Sequence, residues 1–144
     1  MTKKYDVQDI DGFEWLYSEK VQDHFYNPRN VMTDKVKKKD FNGVGEVGSP
    51  ACGDLMKIWI KVDPKRQKIT DLKWKTFGCA SAIASTSILS EMAIGMTLDK
   101  AYKITPQQII KKLGGLPKRK IHCSVLGDQA LRTAIDDYKK KSKA

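Results

Sequence analysis

Two stretches in the middle of the chain alternate between apolar and polar side chains, as strands do when one face of a sheet is buried. In residues 55–62, one face carries four apolar side chains: Met56, Ile58, Ile60 and Val62. The opposite face carries Lys57, Trp59 and Lys61. Residues 69–77 alternate in the same way, and a shorter glycine-rich stretch lies at 43–48. Together these segments predict a three-stranded antiparallel sheet that is covered on one face.

Helical spacing of apolar residues predicts four helices around this sheet. Three of them cover residues 12–26, residues 80–95, and a last stretch from 123 or 124 to 140. A shorter helix begins at Thr105-Pro106, where Thr105 and Gln108 form a capping-box pattern, and stops at Gly114-Gly115. Strands followed by helices predict an α+β fold: a small antiparallel three-stranded sheet with helices packed on one face.

The length and composition are those of a single soluble domain. The chain has 144 residues, of which 40% are hydrophobic and 31% charged. We expect one domain over residues 1–144, with flexible ends at 1–11 and 140–144. No run approaches the roughly 18–20 apolar residues of a membrane-spanning helix, and the first residues lack the apolar segment of a secretory signal. We therefore expect a cytoplasmic protein without a membrane partner.

Basic residues outnumber acidic ones by 27 to 17, which gives a net charge of +10. Such a charge attracts nucleic acids, acidic protein surfaces or anionic membranes. The lysines are spread along the chain, however, and no recognition helix or stacking-aromatic motif accompanies them. A solvated, lysine-rich surface is the favoured interpretation, and nucleic acid is not an expected partner.

The three cysteines lie at predicted junctions between elements. Cys52 is in a turn-rich segment between two strands, Cys79 lies where a strand gives way to a helix, and Cys123 is at the start of the last helix. An odd number of cysteines in a cytosolic chain argues against a disulfide framework. Helix N-termini favour the thiolate, which is the form of cysteine that ligates metals and attacks sulfur.

Two further donors accompany the cysteines: Asp54 follows Cys52 by two residues, and His122 directly precedes Cys123. Three thiolates, a carboxylate and an imidazole suit zinc, iron or an iron–sulfur cluster. There is no C-x-x-C pair, and convergence of such distant residues depends on the fold. The spacing alone therefore leaves two alternatives open, a metal site or three unrelated cysteines.

Four segments resemble one protein family closely. They are residues 17–31 (YSEKVQDHFYNPRNV), 48–57 (GSPACGDLMK), 77–87 (FGCASAIASTS) and 120–126 (KIHCSVL). These strings resemble the IscU/NifU family of iron–sulfur scaffold proteins, and the resemblance extends from about Leu16 to Tyr138. It includes the three cysteines, Asp54 and the His122-Cys123 pair in the family's order and at similar spacing.

The resemblance implies a scaffold rather than an enzyme. Family members accept sulfur as a persulfide from a cysteine desulfurase, gather iron, build a transient 2Fe-2S cluster and pass it to acceptor proteins. Carried over, Cys52, Cys79 and Cys123 are ligands, Asp54 or His122 completes the set, and Cys123 is the persulfide acceptor. Asp54 keeps the cluster labile. The same set holds Zn²⁺ or Fe²⁺ in the cluster-free form, and the alternative function is that of a zinc-bound sulfur acceptor in sulfur transfer.

Two features refine the resemblance. In bacterial members, a dedicated ATP-driven chaperone grips a Leu-Pro-Pro-Val-Lys segment, whereas residues 116–120 here read LPKRK. Two cations in place of the apolar centre argue against that chaperone partnership. SufU-type relatives carry an insertion before the last cysteine and lack the preceding histidine. This chain keeps His122 without an insertion, which groups it with the IscU branch.

Other notable residues are interpreted as structural. His24 is expected on a helix face rather than in the ligand set. Met92 and Met96 are expected in a helix core by their spacing. Trp59 is expected to pack, with exposure at a partner surface as the alternative because it lies on the lysine-bearing face.

Overall fold

The computed structural model describes residues 19–49, 54–77, 80–115 and 121–142. Within these ranges the elements are helix α1 (Glu19–Tyr26), a 3₁₀ helix (Lys38–Asp40), strands β1 (Gly43–Ser49), β2 (Asp54–Asp63) and β3 (Lys68–Thr76), and helices α2 (Ala80–Ala93), α3 (Leu98–Tyr102), α4 (Pro106–Lys112) and α5 (Ile121–Ser142). This is the predicted α+β fold.

The sheet has the order β1-β2-β3, and both strand pairs are antiparallel. The predicted alternation in β2 is confirmed, because Met56, Ile58 and Ile60 are fully buried on the inner face. Helices α2 and α5 pack on that face. Helix α5 contributes Leu131 and Ile135 to the core. The helices therefore cover the inner face of the sheet with apolar side chains.

The outer face of the sheet carries a tryptophan beneath lysines. Trp59 is only 4% exposed, and the ammonium groups of Lys57 and Lys38 lie 5.1 and 5.7 Å from its ring centroid. Lysine stems and cation–π contacts therefore shield the ring from water. The predicted packing role is confirmed, and exposure of Trp59 at a partner surface is wrong.

The helix boundaries differ from the prediction at several points. Helix α5 begins at Ile121, two or three residues before the predicted start, and continues through Ser142. The first helix is described from Glu19, and the earlier part of its predicted range lies outside the described residues, as do residues 1–11. The five-residue helix α3 was not predicted, although Thr97 caps it by accepting a hydrogen bond from the Lys100 N–H. The predicted capping box of Thr105 and Gln108 is confirmed.

Candidate functional site

The last residues of β1 and β3 and the first residues of β2 lie at the same end of the sheet. Ser49, the last residue of β1, pairs with Asp54, the first residue of β2. Met56 pairs with Thr76, the last residue of β3. Antiparallel pairing thus brings the end of β1, the start of β2 and the end of β3 together. We call this the Asp54 end of the sheet.

Helix α5 runs antiparallel to β1 and brings its first turn toward the Asp54 end. A Cβ atom added at Gly43 would lie 2.7 Å from the Ala134 carbonyl oxygen, and one added at Gly45 would collide with the Ala130 carbonyl oxygen. The two elements therefore run in opposite directions, so that the C-terminal end of β1 lies toward the N-terminus of α5. The N-terminal part of α5 therefore extends toward the Asp54 end of the sheet.

Three of the five predicted ligands lie within described elements. Asp54 opens β2, and His122 and Cys123 lie in the first turn of α5. Because α5 runs antiparallel to β1, its first turn is directed toward the end at which β2 begins. Cys52 and Cys79 lie outside the described residues. Convergence of the five side chains therefore stays a prediction.

The local electrostatics at the start of α5 suit thiolate chemistry. The helix has 22 residues, and its first turn contains no acidic residue. The helix dipole therefore favours negative charge near this first turn, in which Cys123 lies. A set of three thiols, one carboxylate and one imidazole fits zinc and iron in its chemistry. Away from these five positions, the described residues contain no group of three or more His, Cys, Asp or Glu able to hold a metal ion.

His24 lies on helix α1, as the sequence predicted, and it has a packing role there. It is buried on α1, and its Nδ1 atom lies 2.6 Å from the Ser87 Oγ atom of α2. The Ser90 hydroxyl of α2 donates to the Ser87 carbonyl at 2.6 Å, and the Asn30 side-chain amide donates to the Ser90 hydroxyl at 2.9 Å. These contacts fix α1 and the following loop to α2, the helix that follows Cys79 in the chain.

Phe77 is an exposed aromatic residue that the sequence reasoning did not single out. Its side chain is 69% exposed, and its backbone N–H donates to the Leu55 carbonyl at 3.1 Å, directly beside the Asp54 end. The strand alternation contained the signal, because Phe77 has the same parity as the outward-facing Lys73 and Lys75. An exposed aromatic ring beside the candidate site offers apolar contact area to a partner protein.

Comparison with known proteins assigns the chain to a family. Residues 16–144 match the model of the NifU-like N-terminal domain. The chain belongs to this family. It is 55% identical over 127 residues to iron–sulfur cluster assembly scaffold protein IscU 1 of Archaeoglobus fulgidus, covering 88% of this chain and 79% of the relative. It is 52% identical over 122 residues to the IscU scaffold protein of Aquifex aeolicus, covering 85% and 75% of the two chains.

Other family relatives are much longer than this chain. Nitrogen fixation protein NifU of Azotobacter chroococcum is 47% identical over 125 residues, which cover 87% of this chain but 39% of the relative. The matching region is therefore one part of that protein.

Solved structures of similar shape support the fold alone, because their sequence identities are below 25%. A putative iron–sulfur cluster assembly scaffold protein for the SUF system from Fervidobacterium islandicum superposes with a TM-score of 0.62 at 22% identity, covering 84% of this chain and 97% of that one. The N-terminal part of a NifU-like protein from Brucella abortus superposes with a TM-score of 0.65 at 19% identity, covering 88% and 96%. None of the described helices of this chain is long and apolar enough to span a membrane.

Proposed function

We propose that this protein is a non-enzymatic scaffold on which a 2Fe-2S cluster is assembled and from which it passes to acceptor proteins. Family membership supports the proposal, and so do relatives above 50% identity that are named as scaffolds for iron–sulfur cluster assembly. The structural observation that carries it is the register of β1 with β2 and α5. That pairing supports the proposal, because it directs the N-terminal part of α5 toward the end of the sheet at which Asp54 begins β2.

The sulfur reaches Cys123 by persulfide exchange with a cysteine desulfurase. The Cys123 thiolate attacks the outer sulfur of the donor persulfide, a new S–S bond forms at Cys123, and the donor cysteine leaves as a thiolate. Reduction of the transferred sulfur to sulfide takes two electrons and regenerates the Cys123 thiolate. Two ferrous ions supply one electron each, and a thiol reductant supplies the other two that a 2Fe-2S cluster requires, ending as a disulfide.

The proposed ligands have two roles: some bind the metal firmly, and one allows its release. Cys52, Cys79 and Cys123 provide thiolates that bind iron firmly, and His122 provides an imidazole. Asp54 provides an oxygen donor, which exchanges more readily than a fourth thiolate. Without sulfur the same set holds Zn²⁺ or Fe²⁺. We propose the cytoplasm as the compartment, with a cysteine desulfurase and apo iron–sulfur proteins as partners.

Anaerobic reconstitution tests this proposal. The protein is incubated with ferrous iron, cysteine, a thiol reductant and a cysteine desulfurase, and its visible absorption spectrum is recorded. We expect the charge-transfer bands of a 2Fe-2S cluster, and we expect Cys52→Ser, Cys79→Ser and Cys123→Ser each to lose them. Circular dichroism of each variant serves as the control for folding. A colourless protein that accepts sulfur and retains zinc would replace the scaffold with the sulfur-transfer alternative.

A further inference from the structure

A groove of about 740 Å³ lies between helices α1, α2, α3 and α4. The Ile69 N–H near the start of β3 donates to the carbonyl of Met96, a groove residue, at 2.9 Å. Thr76, at the other end of β3, lies at the Asp54 end of the sheet. The groove is therefore separate from the predicted cluster site.

The floor of the groove is apolar and adaptable. It includes Met92, Met96 and Ile104, of which Ile104 is 2% exposed and the two methionines are partly buried. The expectation of a helix-core methionine holds for Met92, which lies in α2 and packs against the core, but it is wrong for Met96, which follows the end of α2; both side chains also line the groove. Methionine side chains are flexible and polarizable, so they fit apolar groups of differing shape.

The rim of the groove is basic. Helices α1, α3 and α4, with the residue that follows α3, contribute five lysines to it: Lys20, Lys100, Lys103, Lys111 and Lys112. No carboxylate lies among the described lining residues, and none of the five lysines forms an ion pair with a described residue. Lysines elsewhere do find partners, such as Lys73 with Asp71 and Lys141 with Asp137. The rim therefore holds a concentration of unpaired positive charge that attracts anions.

We propose that this groove binds an acidic amphipathic segment of a partner protein. Apolar side chains of the segment contact the methionine floor, and its carboxylates lie beside the rim lysines. Charge complementarity favours this ligand, because an apolar floor with a rim of five lysines and Gln108 matches a peptide in which leucine-like residues alternate with Glu or Asp at helical spacing. The inference goes beyond the proposed scaffold function and uses none of the five predicted cluster ligands.

A labelled peptide tests the proposal on the full chain. The probe is a fluorescein-labelled helix of about four turns, with Leu on one face and Glu at the other positions, and binding is followed by fluorescence anisotropy. We expect a micromolar Kd that rises at least tenfold when the salt concentration increases from 0.05 to 0.5 M. The double variant Lys103→Glu/Lys111→Glu should weaken binding at least tenfold. Lys100→Gln/Lys112→Gln, which neutralises two exposed rim lysines without introducing acids, should weaken it at least threefold.

The matched control is Lys35→Glu/Lys39→Glu, which makes the same charge change at exposed positions outside the groove. We expect this control to alter Kd less than twofold. Equal weakening by the control and by Lys103→Glu/Lys111→Glu would overturn the proposal, because the attraction would then belong to the whole protein. Equal binding of a peptide with the same charge but scrambled leucines would also overturn it.

A further experiment tests whether an acidic segment of the same chain occupies the groove. Residues 6–16 combine four carboxylates with apolar residues, and they precede Lys20 closely in the chain. The full-chain variant Asp6→Asn/Asp9→Asn/Asp11→Asn/Glu14→Gln should bind the peptide with unchanged Kd. Binding that tightens more than tenfold in this variant would assign the groove to the chain's own acidic segment and overturn the partner proposal.

Discussion

The Nδ1 atom of His24 lies 2.6 Å from the Oγ atom of Ser87 across the interface of α1 and α2. The Arg29 N–H donates to the same hydroxyl oxygen at 2.9 Å. A neutral imidazole protonated at Nε2 satisfies this arrangement, because Nδ1 then accepts the hydroxyl proton of Ser87. Burial lowers the pKa of His24 below its ordinary value of 6.5. The interface therefore favours the uncharged histidine.

The charged neighbours of His24 act in opposing directions. Glu91 faces the ring, with Oε1 at 3.6 Å from Nε2, and together with Asp23 it raises the pKa of the histidine. Arg29 and Lys20 lower that pKa. Burial is the largest influence, so the net direction is downward.

We predict that acidification destabilises the fold partly through His24. Below pH 6.5 the unfolded chain binds a proton at this histidine before the folded chain does, so the unfolding free energy falls as pH decreases from about 7 toward 5. His24→Gln should cost about 1 kcal/mol at pH 7.5 through altered packing and hydrogen bonding, and it should show a shallower loss toward pH 5. Urea unfolding at several pH values measures both effects. His122, the other histidine, is present both in the unchanged protein and in His24→Gln. If the unfolding free energies of the two proteins showed the same dependence on pH, the effect would not belong to His24.

The contact between β1 and α5 yields a second prediction. A Cβ atom at Gly45 would collide with the backbone of Ala130 and Ala134, which moves only if α5 shifts as a whole. Gly45→Ala should therefore lower the unfolding free energy by about 2–3 kcal/mol. Because α5 carries His122 and Cys123, cluster yield per folded protein should also fall. The control Glu46→Ala alters the exposed neighbour and should change stability by less than about 0.5 kcal/mol; a similar loss in both variants would contradict the argument.

Much of the fold could be predicted because local patterns agree with the tertiary structure. The alternation around Met56 and Ile58 reports which face of β2 is buried, and the capping box at Thr105 marks a helix start by its own hydrogen bonds. Helix α3 was missed because five residues are too few to show a helical period. The start of α5 at Ile121 was missed by two or three residues because apolar periodicity does not define where a helix begins.

The candidate site was predictable in composition but not in geometry. The local segments around Asp54 and His122 identify donor types and resemble a known family. The relation between them depends on the register of β1 with β2 and on the close approach of α5 at Gly45. No local pattern encodes such a long-range contact, since the glycine reads equally well as a turn residue. The groove with its lysine rim escaped prediction for the same reason, as its lysines come from three separate helices and their flanking residues.

A third prediction concerns the chaperone segment at residues 116–120, which lies outside the described residues. Lys118 and Arg119 replace an apolar centre, and placing two cations in an apolar groove is costly. Lys118→Pro/Arg119→Val should therefore bind an ATP-driven chaperone that prefers the Pro-Pro-Val form at least tenfold more tightly than the unchanged protein. Calorimetric titration gives the two affinities. Lys35→Ala/Lys39→Ala removes the same charge elsewhere and should leave the affinity unchanged; equal affinities for all three proteins would disprove the prediction.

The last prediction concerns Asp54, the first residue of β2. Its carboxylate is a harder donor than a thiolate and exchanges more readily with water or an incoming ligand. In Asp54→Ala the three cysteines remain, and His122 is free to fill the fourth position. The imidazole is less prone to hydrolytic exchange, so the cluster should form and persist longer. We expect transfer to an apo-ferredoxin to slow at least threefold, as followed by visible absorbance.

The control for this prediction is Asp40→Ala, which removes an exposed carboxylate in the 3₁₀ helix and changes the net charge equally. It should transfer its cluster at the rate of the unchanged protein. Slower transfer in both variants would indicate that overall charge governs the encounter with the acceptor, because long-range attraction depends on net charge. Equal or faster cluster loss in Asp54→Ala alone would mean that Asp54 stabilises the cluster as an ordinary ligand. Slower transfer confined to Asp54→Ala would assign the release of the cluster to this single oxygen donor.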